Sequence, residues 1–105
     1  MKHHNRIMIK SSTPPTVEFD SCTLAWYVRF SKRPVAKTLS EDKTGAVVAI
    51  DLDSRGEVVG VELLGVRQFE INMIQKMARI DAPNIDMTRV RFIPAAQAEH
   101  DRVAA

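Results

Sequence analysis

The stretch from Ala46 to Gly65 most constrains what this chain can fold into. It reads AVVAIDLDSRGEVVGVELLG and holds the longest apolar pattern of the sequence, interrupted once by Asp53-Ser54-Arg55-Gly56. An Asp that opens a turn accepts hydrogen bonds from the backbone two residues on, and Gly56 tolerates the positive φ that closes a hairpin with a bulge. The stretch therefore predicts an antiparallel β-hairpin.

Both faces of this hairpin are predicted to be apolar. Side chains alternate across a strand, so the residues from Val48 to Leu52 at every second position share one face. The opposite face is predicted to contain Val47, Ala49, Val58, Gly60 and Leu64, with Glu62 as a single charge. An antiparallel sheet with one solvated face shows polar residues at alternate positions, so this pattern predicts a cover on both faces.

Shorter strands are predicted on either side of the hairpin. They are Val17 to Phe19, Leu24 to Phe30, an edge strand Val35 to Leu39, and a last short strand Arg89 to Ile93. Between Gly65 and that last strand the apolar period lengthens to that of an amphipathic helix, predicted from Glu70 to Ile80 and stopped by Pro83.

The fold class predicted from these elements is α+β. A small antiparallel, hairpin-built sheet of about four to six strands carries one amphipathic helix on one face. Residues 17–94 are predicted to form a single domain, with a flexible arm at 1–16, in which Ile7 to Ile9 is a candidate for a short edge strand, and a flexible tail at 95–105.

A single helix covers only one face of such a sheet. Monomeric proteins rarely leave a contiguous apolar patch of more than a few hundred Å² in water. We therefore expect a homodimer or higher oligomer, with Val47, Ala49, Val58, Gly60 and Leu64 at the interface.

Composition excludes several other classes of protein. The chain has 105 residues, a formal net charge of +2 and one cysteine, Cys22, which has no partner for an intramolecular disulfide. No stretch is long and apolar enough for a membrane span or a signal peptide, so the cytoplasm is the expected location and no membrane partner is predicted. The small net charge also makes nucleic acid a disfavoured partner.

One group of residues has the chemistry of a binding site. Tyr27 and Arg29 share a face of their strand, and Asp51 or Glu62 approach them if the strands are neighbours. Such a group forms a small polar pocket or the start of an acid/base site, and the alternative interpretation is a structural ion pair with a tyrosine packed over it. These residues are predicted to bind, and no catalytic residue is predicted.

Metal motifs are absent or defective. Starting at Asp51 the hairpin imitates the spacing of a calcium loop, but Arg55 places a cation where an oxygen ligand belongs and the flanks predict strands. His3, His4 and His100 have no ligand spacing to a cysteine or carboxylate. No metal and no cofactor is predicted.

Two motifs carry a resemblance to a known family. They are FDSCTLAWYVRF, from Phe19 to Phe30, and AIDLDSRGEVVGVELLG, from Ala49 to Gly65. Together they resemble a bacterial family of small proteins catalogued as domain of unknown function number 2283. The first motif departs from the family pattern, which has a proline at Ser21 and an acidic residue at Leu24.

The resemblance covers about half of the chain. It implies a small β-rich domain and an accessory protein of bacterial or mobile-element origin, and it implies no activity, because none is established for the family.

Three hypotheses about function follow. The leading one is a non-enzymatic, self-associating module that binds an unidentified protein or small molecule. The second is a small hydrolase or isomerase that uses Tyr27, Arg29, Asp51 and Glu62. The third is weak nucleic-acid binding through the basic residues Lys32, Arg33, Lys37, Arg89 and Arg91.

Overall fold

The computed structural model describes residues 6–43 and 45–94. Its elements in chain order are β1 (Ile7–Met8), β2 (Thr16–Asp20), β3 (Ala25–Arg29), β4 (Lys37–Lys43), β5 (Ala46–Leu52), β6 (Val58–Leu64), α1 (Met73–Met77), β7 (Ile80–Asp81) and β8 (Arg91–Pro94). A short 3₁₀ turn, Met87–Arg89, precedes β8.

Six strands form the main sheet, in the order β4-β5-β6-β3-β2-β8. Every neighbouring pair is antiparallel except β2 and β8, which run parallel. The sheet is therefore mixed, and the predicted all-antiparallel sheet is wrong at this edge. The coarser prediction of a small β-rich domain with little helix is confirmed.

The central hairpin is present as predicted. The backbone N–H of Arg55 donates to Asp53 Oδ1 over 2.9 Å, and Gly56 has a φ of 81°. β5 and β6 pair antiparallel from Val47–Leu64 to Leu52–Val58.

The return strand β6 also contains a β-bulge at Val59, outside the turn, which the periodicity did not predict. Leu52 pairs with Val58 whereas Asp51 pairs with Gly60, so Val59 is the additional residue. The Val59 carbonyl accepts the backbone N–H groups of Phe30 and Ser31, at 2.8 and 3.1 Å. Because the bulge shifts the alternation by one residue, Val58 lies in the hydrophobic core and not on the predicted interface face.

The two faces of the sheet differ. The core face carries the fully buried Val17, Val28, Val61 and Leu63, which contact Ile74 of α1 and Ile80 of β7 in one cluster. The opposite face, called the open face below, carries Glu18, Tyr27, Arg29, Thr38, Val47, Ala49, Asp51, Gly60, Glu62 and Leu64. Among residues 6–43 and 45–94, no helix or second sheet packs on the open face.

The helix is shorter than predicted. It spans Met73–Met77, and Arg79 adopts a left-handed φ of 56° that ends it before Ile80. Ile80 then pairs with Ile7 in the small parallel sheet of β1 and β7. Phe69 lies outside the helix and stacks on Trp26, with ring centroids 4.9 Å apart.

Part of the predicted arm belongs to the packed domain. Ile9 is buried in the core, and the Arg6 side chain donates to Asp81 over 2.6 Å. The parallel pairing of β1 with β7 holds this segment of the chain against the core. The predicted tail at 95–105 and His3, His4 and His100 lie outside the described residues.

Several strand boundaries also differ from the prediction. β8 begins at Arg91 and not at Arg89, because Arg89 lies in the 3₁₀ turn. Leu24 has a φ of 56° and is exposed, so it belongs to the turn before β3 and not to the strand. β4 begins later than predicted and continues through Glu41 and Asp42, because these residues pair with Val48 and Val47 of β5. Its position at the edge of the sheet is as predicted.

Candidate functional site

The structure brings together the residues that the sequence predicts as a binding group. Tyr27 of β3 lies directly opposite Glu62 of β6, and Arg29 and Asp51 are the two partners of Gly60 on either side of β6. The side chains of Tyr27, Arg29, Asp51 and Glu62 project from the open face and are partly exposed.

Gly60 makes this arrangement possible because it has no side chain. The Tyr27 ring lies across Gly60, where a Cβ atom would overlap it. The Tyr27 hydroxyl thereby crosses β6 and donates to Asp51 Oδ2 over 2.8 Å. Gly60 is consequently buried beneath the ring, and it contributes to the open face only by its shape.

Hydrogen bonds extend this contact to the neighbouring strands. The Thr38 hydroxyl of β4 donates to Asp51 Oδ1 over 2.6 Å. On the other side, the Arg29 guanidinium carbon lies 4.9 Å from the Tyr27 ring centroid, and Arg29 Nε donates to Glu18 Oε2 over 3.0 Å. We call this line of side chains, Thr38, Asp51, Tyr27, Arg29 and Glu18, the polar row.

Thr38 and Glu18 are members of the polar row that sequence reasoning missed. Each lies opposite a predicted residue, since Thr38 pairs with Asp51 and Glu18 pairs with Tyr27. Strand register is the signal that finds them, and the register of β4 and β2 requires the strand order, which the sequence does not supply.

The electrostatics of the open face favour protonated side chains near its centre. Burial raises the pKa of Tyr27, and its hydrogen bond to Asp51 raises that pKa further. The pKa of Glu62 is raised as well, first by burial and then by the neighbouring charge of Asp51. Tyr27 is therefore held at neutral pH as a hydrogen-bond donor, which is the opposite of what a tyrosine base requires.

One end of the open face is apolar. Val47, Ala49 and Leu64 lie there, beside a shallow depression of about 390 Å³. The lining residues of the depression are Asp42, Gly45, Ala46, Val47, Leu64 and Gly65. Of the predicted interface residues, Val58 is the one that the bulge removes from this face.

Carboxylates outnumber basic side chains on this face. Glu18, Asp20, Asp42, Asp51 and Glu62 share it with Arg29 and Arg91. The whole chain has the opposite sign, with a formal net charge of +2. The negative charge is therefore a local property of the open face.

A second polar cluster lies in the hairpin turn. Asp53 is buried, and its carboxylate accepts the backbone N–H groups of Arg55 and Glu57 at 2.9 Å each and Arg33 Nη1 at 2.8 Å. The Glu57 N–H and Arg33 lower the pKa of Asp53 to about 2. This cluster holds the turn together, and it also pairs Arg33, one of the basic residues considered for nucleic-acid binding.

Other candidate chemistry finds little support. Cys22 is exposed in the turn between β2 and β3, and within residues 6–43 and 45–94 no three His, Cys, Asp or Glu side chains are grouped as metal ligands. The rings of Phe19, Trp26 and Phe69 lie on the core side of the sheet, where they stack on one another and are partly buried.

No family model, curated protein or solved structure matches the chain. The resemblance to the family numbered 2283 is neither supported nor contradicted by this result, and it stays a prediction. In the part of the chain that the structure describes, no helix has the length and apolarity to span a membrane.

Proposed function

We propose that this chain is a non-enzymatic interaction module that binds a basic segment of another protein on the open face of its sheet. The observation that carries the proposal is the composition of that face. It combines an apolar end, formed by Val47, Ala49 and Leu64, with an excess of carboxylates, and no described element packs on it. A cytoplasmic location, expected from the sequence, is part of the proposal.

Charge complementarity selects the class of partner. A segment that contains both Arg or Lys and apolar residues on the side that contacts the sheet presents cations to Asp51 and Glu62 and apolar side chains to Leu64. A cation next to Glu62 also offsets the repulsion from Asp51 that raises the Glu62 pKa. A second copy of the open face, by contrast, brings carboxylates against carboxylates.

The predicted self-association through Val47, Ala49, Gly60 and Leu64 stays a prediction, and the like charges around these residues argue against it. The hydrolase or isomerase hypothesis needs a tyrosine or carboxylate free to exchange a proton. The polar row engages three of the four residues, since the Tyr27 hydroxyl bonds to Asp51 and Arg29 bonds to Glu18. Glu62 alone lies outside the row, and a single carboxyl group does not make an acid/base pair, so binding is the better-supported function.

The test is a titration of the isotope-labelled protein with a synthetic peptide that alternates arginine and valine. The NMR chemical shifts of the backbone amides are recorded at each peptide concentration. We expect the shifts to concentrate on β3, β5 and β6, and binding to weaken as salt is raised. A peptide that alternates glutamate and valine is the control ligand. Shifts spread evenly over the surface, or equal shifts with both peptides, contradict the proposal.

A charge reversal locates the site. Glu62→Lys on the open face is expected to weaken binding of the arginine peptide at least about tenfold, because it replaces attraction by repulsion at the centre of the site. Glu70→Lys makes the same change of charge at an exposed position outside the sheet and serves as the matched control. Equal loss of affinity in both variants would mean that only the total charge matters.

A further inference from the structure

The outer edge of β4 is a second place where another chain can bind, by strand pairing. β4 is an end strand of the main sheet and pairs with β5 from Lys37 to Lys43. Within the described residues no strand pairs with its other edge. An edge strand of this length presents a row of backbone N–H and C=O groups that another strand can complete.

The opposite edge of the sheet is less suitable. β8 has only four residues, and its last residue is Pro94, which has no backbone N–H to donate. β4, by contrast, has seven residues, and Leu39, its third residue, is 41% exposed. The longer strand and its exposed leucine make β4 the edge better suited to pair with another strand.

The sequence of β4 is complementary to itself when two copies run antiparallel. A two-fold axis perpendicular to the sheet keeps the core faces of both copies on the same side. A core-face residue of one β4 strand therefore lies opposite a core-face residue of the other, and an open-face residue lies opposite an open-face residue. With the axis at Leu39, Lys37 lies opposite Glu41 of the second copy, and Glu41 lies opposite Lys37. Leu39 meets Leu39 between these two pairs, and Thr38 meets Ser40 on the open face.

Neighbouring registers lose this complementarity. An axis at Ser40 places Leu39 opposite the charge of Glu41, and an axis at Glu41 places two glutamates opposite each other. Opposite charges across a strand pair stabilise it, and like charges directly opposite destabilise it. The register centred on Leu39 is therefore preferred, because it places opposite charges across the two strands and leaves no like charges directly opposite each other.

We infer that two copies of this chain join edge to edge through antiparallel β4 strands with Leu39 at the two-fold axis. The six-stranded sheets become one continuous sheet of twice that number. Both open faces then lie on the same side of the joined sheet. The inference goes beyond the proposed function and does not depend on it, because it uses the strand edge and not the open face.

The first test is the molar mass in solution, by light scattering behind a sizing column, from about 1 µM to about 1 mM, where weak and moderate dissociation constants lie. We expect a concentration-dependent dimer. A monomer throughout this range overturns the inference.

Charge reversal tests the register. Lys37→Glu and Glu41→Lys each place like charges opposite each other twice per dimer, so each is expected to raise the dissociation constant at least about tenfold. An equimolar mixture of the two variants restores opposite charges in both pairs, so we expect a heterodimer with nearly wild-type affinity. Lys10→Glu, an exposed charge reversal away from β4, is the matched control and should leave the dimer unchanged.

Two further outcomes contradict the inference, and a third separates it from the proposed function. A dimer that persists in both single variants is held by another surface, and Leu64→Arg then shows whether that surface is the open face. Two single variants that remain monomeric when mixed, although circular dichroism shows both folded, overturn the register. A dimer that does not bind the arginine peptide supports this inference and contradicts the proposed function, so the two fail separately.

Discussion

At the scale of single residues, the open face depends on Gly60. The Tyr27 ring occupies the space that a side chain at this position needs. We expect Gly60→Ala to lower the free energy of unfolding by about 1–3 kcal/mol, the usual cost of overpacking, because the ring must move away and lose its hydrogen bond to Asp51. Urea denaturation followed by circular dichroism measures the change.

The same substitution in a Tyr27→Ala background is the control. Without the ring, a methyl group at position 60 has space, so the cost of Gly60→Ala should largely disappear. If Gly60→Ala costs the same in both backgrounds, the ring does not lie across Gly60 in solution.

A second prediction at this scale concerns Asp53 and pH. Its pKa is lowered from 3.8 to about 2 by the Glu57 N–H and Arg33, so its contribution to stability is fully present above pH 3.8 and is lost as the pH falls through about 2. Asp53→Asn keeps an oxygen for the turn but loses the charge. We expect wild type to be the more stable protein at pH 7, with the difference shrinking as the pH falls from about 4 to about 2.

Thermal unfolding of wild type and Asp53→Asn at closely spaced pH values measures this difference. A difference that stays constant down to pH 2 would show that the carboxylate gains nothing from its partners. Glu57→Gln is the companion variant, since it removes the other carboxylate near Arg33 and leaves the backbone N–H that Asp53 accepts.

At the scale of elements, the small sheet of β1 and β7 acts as the cover of the core face. Ile80 of β7 has no exposed surface, whereas Met8 of β1 is 54% exposed. We expect Ile80→Ala to cost about 2–5 kcal/mol of unfolding free energy, because it leaves a cavity in the core. Met8→Ala, the matched control, should change it by no more than about 0.5 kcal/mol. Similar small effects from both would mean that this layer does not pack on the sheet.

Elements differ in how far sequence patterns predict them. The central hairpin was predictable because its turn and its alternation are local properties, encoded within Ala46 to Gly65. The helix end was not, because Ile80 satisfies a helical period and a strand equally well, and its pairing with Ile7 decides between them. The bulge at Val59 was missed for a similar reason, since it is stabilised by backbone bonds from Phe30 and Ser31.

The candidate site was likewise predictable only where the signal is local in the sequence. Tyr27, Arg29, Asp51 and Glu62 were predicted as a group because they share a strand face or lie on the predicted hairpin. Glu18 and Thr38 were missed because the register of the β2–β3 and β4–β5 pairs places them opposite Tyr27 and Asp51, and the sequence alone does not fix that register.

At the scale of the whole molecule, the two proposals together make a further prediction. If two chains join through β4, their β5 strands are separated by three strand spacings, roughly 14 Å at about 4.8 Å each. Two copies of the open face, each with its excess of carboxylates, then lie on one side of one sheet. A probe with two arginine-valine segments joined by a short flexible linker should occupy both surfaces at once.

Avidity is the measurable consequence. The tandem probe should bind wild type at least about a hundredfold more tightly than the single segment does, because its second segment binds at a high effective concentration. Lys37→Glu keeps the open face but is expected to be monomeric. For this variant the affinities of the tandem and single probes should differ by about a factor of two, because the tandem probe carries two segments that can each bind the one surface. Isothermal titration calorimetry gives both the affinities and the number of probes per chain. Equal affinity of the two probes for a wild-type dimer would place the binding surfaces on opposite sides of the assembly, because only a common side allows one linker to join them.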